Sequence, residues 1–165
     1  MKTLLILRHA RAGHDAPSGS DFDRALTGRG QHEAASVGRE FRAGDRRVDA
    51  IVASPAVRVV ETVVALVEGA GLAATPVWDR RLYNASFATL VEVIRAINET
   101  AGAALIVGHN PGLHELIVRL AEDDRGGFPP AALAELSLSV DHWSDVAPGC
   151  GHIQSLVRPG DVADG

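Results

Sequence analysis

Short apolar runs alternate with longer amphipathic segments along this chain, and that rhythm predicts its elements. Leu4–Leu7, Ala50–Ala53 and Leu105–Val107 are apolar runs that each stop at a polar residue or glycine, as buried strands do. Val77–Trp78, after Pro76, is a weaker fourth strand. Between them, helical patterns cover Gly30–Arg42, Pro55–Glu68, Phe87–Asn98 and Pro111–Ala121. The second is the clearest, with Val59, Val60, Val63, Val64 and Val67 at helical spacing, although valine is a mediocre helix former.

Strands alternating with helices predict a mostly parallel central sheet covered on both faces, a three-layer α/β/α sandwich. After a break at Gly126–Pro130, Leu136–Val140 and His152–Val157 predict two closing strands joined by a polar turn around Ser144–Gly151. The expected organisation is one domain over residues 1–160 and a frayed tail over 161–165, where Ala163–Gly165 has nothing to pack. Gly13–Asp23, directly after the first strand, is the longest irregular stretch.

Composition narrows the class. With 46% apolar and 22% charged residues among 165, the chain can build an ordinary core without staples. Sixteen basic against 21 acidic residues give a net charge of −5, which argues against general affinity for nucleic acid or an anionic membrane. Cys150 is the only cysteine, so no intramolecular disulfide forms and a cytoplasmic location is expected. Thr3–Leu7 is too short for a signal core or a membrane span. No apolar heptad demands a dimer, so a monomer is expected.

Candidate chemistry gathers where ligands bind in such sheets, at the carboxyl ends of the strands. There stand Arg8-His9-Ala10, Ser54-Pro55-Ala56-Val57-Arg58 and Gly108-His109-Asn110-Pro111-Gly112. Ser54-Pro55 and Asn110-Pro111 read as capped helix starts, which suit an anion. Arg58, about one turn into its helix, can reach back toward the strand end and grip two phosphate oxygens at once. Each of these features alone has an ordinary structural explanation, as a solvated charge, a packed histidine or helix punctuation. Their coincidence at three strand ends points to a dianion pocket for a phosphoryl group. No His-Glu-x-x-His or Cys-x-x-Cys spacing exists among the seven histidines and one cysteine, and no cofactor or metal is expected. Gly28 and Gly30 make no dinucleotide fingerprint, and the aromatic residues are too scattered for base stacking.

The motifs resemble those of the histidine phosphatase superfamily, also called phosphoglycerate mutase-like. Leu7-Arg8-His9-Ala10 is similar to its Arg-His-Gly signature, and Leu26-Thr27-Gly28-Arg29-Gly30 to its Leu-Thr-x-x-Gly segment. Ser54 to Thr62 resembles its Ser-Pro-x-x-Arg-x-x-x-Thr stretch, and Gly108–Gly112 its second-histidine motif. Short length and the His-Asn-Pro-Gly form are most similar to compact SixA-type phosphohistidine phosphatases. The resemblance implies that His9 is a nucleophile carrying a transient phosphoryl group, with Arg8, Arg58 and a protonated His109 gripping the phosphoryl oxygens without a metal.

Two departures bear on substrate. Ala10 replaces the signature glycine, which is tolerable if the backbone there needs no positive φ. Larger members carry a glutamate acid after the third strand, whereas Arg80–Ser86 here holds no carboxylate; Glu92 and Glu99 follow later, where a helix face explains them. Asp21 and Asp23 could donate a proton, or could cap or pair with Arg24. A missing acid tilts the expectation toward phosphohistidine on a protein, because an imidazole leaves more readily than an alkoxide. The alternatives are a phosphatase of a small phosphorylated metabolite and a phosphate-binding module without turnover.

Overall fold

In the computed structural model, which describes residues 1–161, a six-stranded sheet carries two helices on each face. In chain order the strands are β1 (Lys2–Arg8), β2 (Ala50–Ala53), β3 (Pro76–Trp78), β4 (Ala103–Gly108), β5 (Leu133–Leu138) and β6 (Gly151–Val157). The helices are α1 (Gly28–Ala43), α2 (Val57–Ala70), α3 (Phe87–Arg95) and α4 (Gly112–Ala121). The sheet order is β3-β2-β4-β1-β5-β6, with the first four strands parallel, β5 antiparallel to β1, and β6 antiparallel to β5.

The apolar runs of β1 and β4 serve both faces because successive side chains alternate. Leu4, Ile6, Ala104 and Ile106 enter the core under α3 and α4, while Leu5, Leu7, Leu105 and Val107 enter the one under α1 and α2. All eight are fully buried, at about 1.5–3 kcal/mol for each large side chain. The mixed sandwich is therefore as expected, including the weak β3. α1 and α2 approach closely because glycines face each other: a Cβ on Gly38 would come within 3.1 Å of the Gly69 Cα.

Several boundaries moved for identifiable reasons. α1 begins at Gly28, since the Thr27 side chain accepts from the Gly30 amide at 3.0 Å and caps a first turn that has no apolar signal. α3 ends at Arg95, although Ile97 still turns into the core from the following turn. β5 starts three residues before the expected Leu136 and stops at Leu138. The Ala131–Leu136 stretch favours helix by propensity, but pairing of Leu133 with Leu7 and of Leu138 with Lys2 overrides it. Trp143 opens the turn before β6 and is fully buried, its indole donating to the Ala101 carbonyl at 2.8 Å. Asp161, expected in the tail, closes a short turn by accepting from the Arg158 amide at 3.0 Å; Ala163–Gly165 lies outside the described residues.

Candidate active site

The parallel order places β1, β4 and β2 side by side, so their carboxyl ends meet. An open cleft of about 340 Å³ there is lined by Arg8, His9, Arg58 and His109, with Arg11, Arg24, Asp21, Asn84 and Asn110 among its other walls. Four arginines face one carboxylate in a chain of net charge −5. The cleft suits a dianion although the whole molecule is acidic. All four residues expected from the strand ends are thus brought together.

His9 and His109 are buried, with ring centroids 5.3 Å apart. The His9 Nδ1 lies 2.7 Å from the Ala10 carbonyl, which can only accept, so Nδ1 carries the proton. Its Nε2 therefore keeps a lone pair, which accepts from the Arg58 Nε–H at 3.4 Å at the wall of the cleft. Burial, with smaller contributions from Arg58, Arg8 and Arg24, lowers the His9 pKa to about 4. The ring is neutral at physiological pH, the form a nucleophilic nitrogen requires.

His109 takes the other tautomer. Arg58 Nη2 can only donate and lies 3.2 Å from His109 Nδ1, so the His109 proton sits on Nε2 and is donated to Ser54 Oγ at 2.9 Å. Burial, then Arg58 and His9, push the His109 pKa down to about 3. In the cleft as it stands this ring is therefore neutral, whereas the expected protonated form refers to a bound phosphoryl group.

Arg58 is the second residue of α2, not a turn into it, and it is 4% exposed. The backbone around it is clamped by Thr62, whose hydroxyl donates to the Arg58 carbonyl at 2.7 Å and accepts from the Ala10 amide at 3.0 Å. That contact ties the end of β1 to the first turns of α2. The capping expectation for Ser54 also needs correction. Ala56, without a side-chain cap, precedes α2, and Ser54 serves His109 instead, accepting also from the Ala56 amide at 3.3 Å. Pro111 directly precedes α4, and the cap expected from Asn110 is present one residue earlier, on a first-turn amide of α4. Asn110, after a strand end and before a cis peptide bond, accepts from the His114 amide at 3.2 Å and donates to the Phe128 carbonyl at 2.7 Å. Arg8 donates from Nη1 to the same carbonyl at 3.2 Å, while its buried Nε has no hydrogen-bond partner among the described residues.

A sequence profile describing the histidine phosphatase superfamily (branch 1) matches residues 4–90. An uncharacterized protein of Mycobacterium tuberculosis (strain H37Rv) is 34% identical over 164 residues, covering 93% of this chain and 99% of its own. The chain belongs to the histidine phosphatase superfamily. Among solved structures, a protein assigned as phosphohistidine phosphatase SixA from Agrobacterium tumefaciens superposes with a TM-score of 0.83 at 27% identity, covering 96% of this chain and 98% of that one. A protein histidine phosphatase SixA complexed with tungstate shares the fold at 22% identity and the same TM-score, over 96% and 98% of the two chains. A glucosyl-3-phosphoglycerate phosphatase from a mycobacterium has the fold at a TM-score of 0.66 and 17% identity.

Within this histidine phosphatase fold, the two departures can be placed. Ala10 is fully buried and is not among the positive-φ residues, so the missing glycine costs no backbone strain. Asp21 is corrected as a proton donor. The Tyr83 hydroxyl donates to its Oδ2 at 2.6 Å, Arg24 donates to Oδ1 at 2.9 Å and Arg58 donates to Oδ2 at 3.1 Å. These bonds, Tyr83 foremost, hold the Asp21 pKa down at about 2, so it is an anion that pairs with Arg24. Asp23 accepts from Ser18 at 2.6 Å and is not a lining residue of the cleft. Glu99 accepts from the Trp143 amide at 3.2 Å, remote from the cleft. Sequence reasoning missed Tyr83 and Asn84 as neighbours of the site. Only their place after the third strand could have indicated them. Among the described residues, no three His, Cys, Asp or Glu side chains converge as metal ligands, and no helix is long and apolar enough to cross a membrane.

Proposed function

We propose that this histidine phosphatase hydrolyses phosphohistidine on a partner protein through a covalent phospho-His9 intermediate. The observation that carries the proposal is the tautomer of His9: Nδ1–H is held by the Ala10 carbonyl at 2.7 Å, which leaves the lone pair on a neutral Nε2 in an arginine-lined cleft, where it accepts from Arg58 until a phosphoryl group takes that donor. In the first step Nε2 attacks phosphorus and the substrate P–N bond breaks. Its electron pair stays on the departing imidazole, which takes a proton from water. In the second step water attacks phosphorus, the bond to Nε2 breaks, and inorganic phosphate leaves. The hydrogen bond from Nδ1 to Ala10 persists throughout and supports the charge that phosphorylation places on the ring.

Arg8 and Arg58 neutralise the equatorial oxygens, the main requirement of phosphoryl transfer. A bound dianion reverses the local balance at His109 and favours its protonation. Nδ1 then donates to a phosphoryl oxygen while Nε2–H keeps its bond to Ser54. The carboxyl group that lines the cleft among the described residues, Asp21, is held ionised, and this favours a leaving group that departs without a strong acid. The cleft is open, which suits a side chain presented by another protein.

The test compares the wild type with His9→Ala on a phosphohistidine protein and on an aryl phosphate, in chelator, with intact-mass detection of phospho-enzyme. His9-dependent release from phosphohistidine with poor aryl phosphate turnover is expected. Comparable or better turnover of the ester would replace the proposal with a metabolite phosphatase. Binding that survives without any turnover would leave a phosphate-binding module.

A further inference from the structure

The guanidinium of Arg58 is used on two edges. Its side edge, Nε and Nη2, faces the ring nitrogens of His9 and His109 at 3.4 and 3.2 Å. Its far edge, Nη1 and Nη2, donates to the Asp21 carbonyl at 2.7 Å and to the Asp21 carboxylate at 3.1 Å. The carboxylate is fixed in turn by Tyr83 at 2.6 Å and by Arg24 at 2.9 Å. Tyr83 stands edge-on to Phe22 and to His109, with ring centroids 5.1 and 5.3 Å apart. The loop carrying Asp21 is tied down separately, by the Arg24 bond to the Gly13 carbonyl at 2.7 Å and by Glu61 on the Leu26 amide at 2.9 Å.

We propose that Asp21, braced by Tyr83, is the positioning residue that turns the side edge of Arg58 toward the phosphoryl site between His9 and His109. This rests on the proposed role of Arg58 as a phosphoryl ligand. A planar fork binds two oxygens only when its plane and edge are set. Long arginine side chains lose considerable rotamer freedom when fixed, so a partner on the far edge lowers the cost of binding the anion.

Charge and geometry make opposite demands on Asp21, which makes the inference testable. A carboxylate beside an anion site repels the anion, so removing its charge should tighten phosphate binding if charge were its whole contribution. Positioning requires the reverse. The experiment measures affinity for inorganic phosphate by calorimetry on the full chain, for wild type, Asp21→Ala, Asp21→Asn, Tyr83→Phe and Arg58→Ala, beside KM and kcat on the proposed substrate. Asp21→Ala should weaken phosphate binding, on the order of tenfold, and raise KM with it. Both variants keep the Asp21 backbone carbonyl on Nη1; Asp21→Asn, which also keeps a side-chain oxygen for Nη2, should recover part of that loss. Tyr83→Phe, which leaves the Asp21 charge in place, should weaken binding by a few-fold and carries the test if Asp21→Ala does not fold. Equal or tighter phosphate binding in the Asp21 variants, with Arg58→Ala still weak, would overturn the positioning role alone. Unchanged binding in Arg58→Ala would instead remove Arg58 from the phosphoryl site, and the proposal with it.

Discussion

The cleft is built from two kinds of material. One half, His9, His109, Ser54, Arg58 and Thr62, sits on strand ends and the start of α2, and all five residues are buried. The other half, Asp21, Arg24 and Tyr83, comes from the loop after β1 and the turn after β3, where the Asp21 side chain is 51% exposed. Core packing holds the first set, so each buried polar atom needs a defined partner, and those partners fix the two histidine tautomers. Hydrogen bonds near solvent hold the second set: Tyr83 and Arg24 on the Asp21 carboxylate, and Arg24 on the Gly13 carbonyl. The proposed reacting atoms belong to the rigid, buried half, and the groups proposed to set the edge of Arg58 belong to the more exposed half.

Substitutions can separate the halves. His9→Ala should abolish phospho-enzyme and reduce turnover by at least about a thousandfold, read by intact mass and steady-state kinetics. Arg58→Ala should remove roughly 2–4 kcal/mol of transition-state stabilisation, and a loss in kcat/KM below about tenfold would place it outside the site. Next in size is a packing change beneath the rigid half. Phe41→Ala on α1 should cost about 3–5 kcal/mol in denaturant unfolding while leaving the pH dependence of activity unchanged.

The buried histidines also predict how stability follows pH. Their folded pKa values, about 4 for His9 and about 3 for His109, lie below the ordinary 6.5. The unfolded chain therefore binds more protons between those values, and stability falls as pH drops from about 6.5 toward 4. Asp21, depressed to about 2, contributes stability above its ordinary 3.8 that is lost as pH falls through 2. Thermal unfolding across pH 4–7 should show the histidine slope in the wild type and a shallower one in His9→Gln. Equal slopes would mean that folding does not lower the His9 pKa. The smallest effect is expected at Asp23→Asn, which should change turnover less than about twofold, since Asp23 is not a cleft residue.

Much of this was legible in the chain because the signals were local. Runs such as Leu4–Leu7 and Leu105–Val107 announce strands buried on both faces, and the residue after each run has to lie at a strand end. Arg8, His9 and His109 could be placed on one edge for that reason alone. The misplaced start of β5 shows the limit, because local preference in Ala131–Leu136 favours helix and only the β1 partner makes it a strand. Ser54 was legible as a helix cap and became the acceptor for His109, since a buried imidazole N–H needs one. Tyr83 and Asp21 are 62 residues apart, and nothing in either segment names the other.

By itself the sequence determined which residues are apolar, where strands must end, and which reactive side chains follow those ends; periodicity and covalent neighbourhood carry that information. Strand order, both histidine tautomers, the neutrality of His109, the ionisation of Asp21 and the two-edged grip on Arg58 were decided only by the tertiary structure. These depend on burial and on partners brought from distant segments, and desolvation and hydrogen bonding act only once the chain has closed around them.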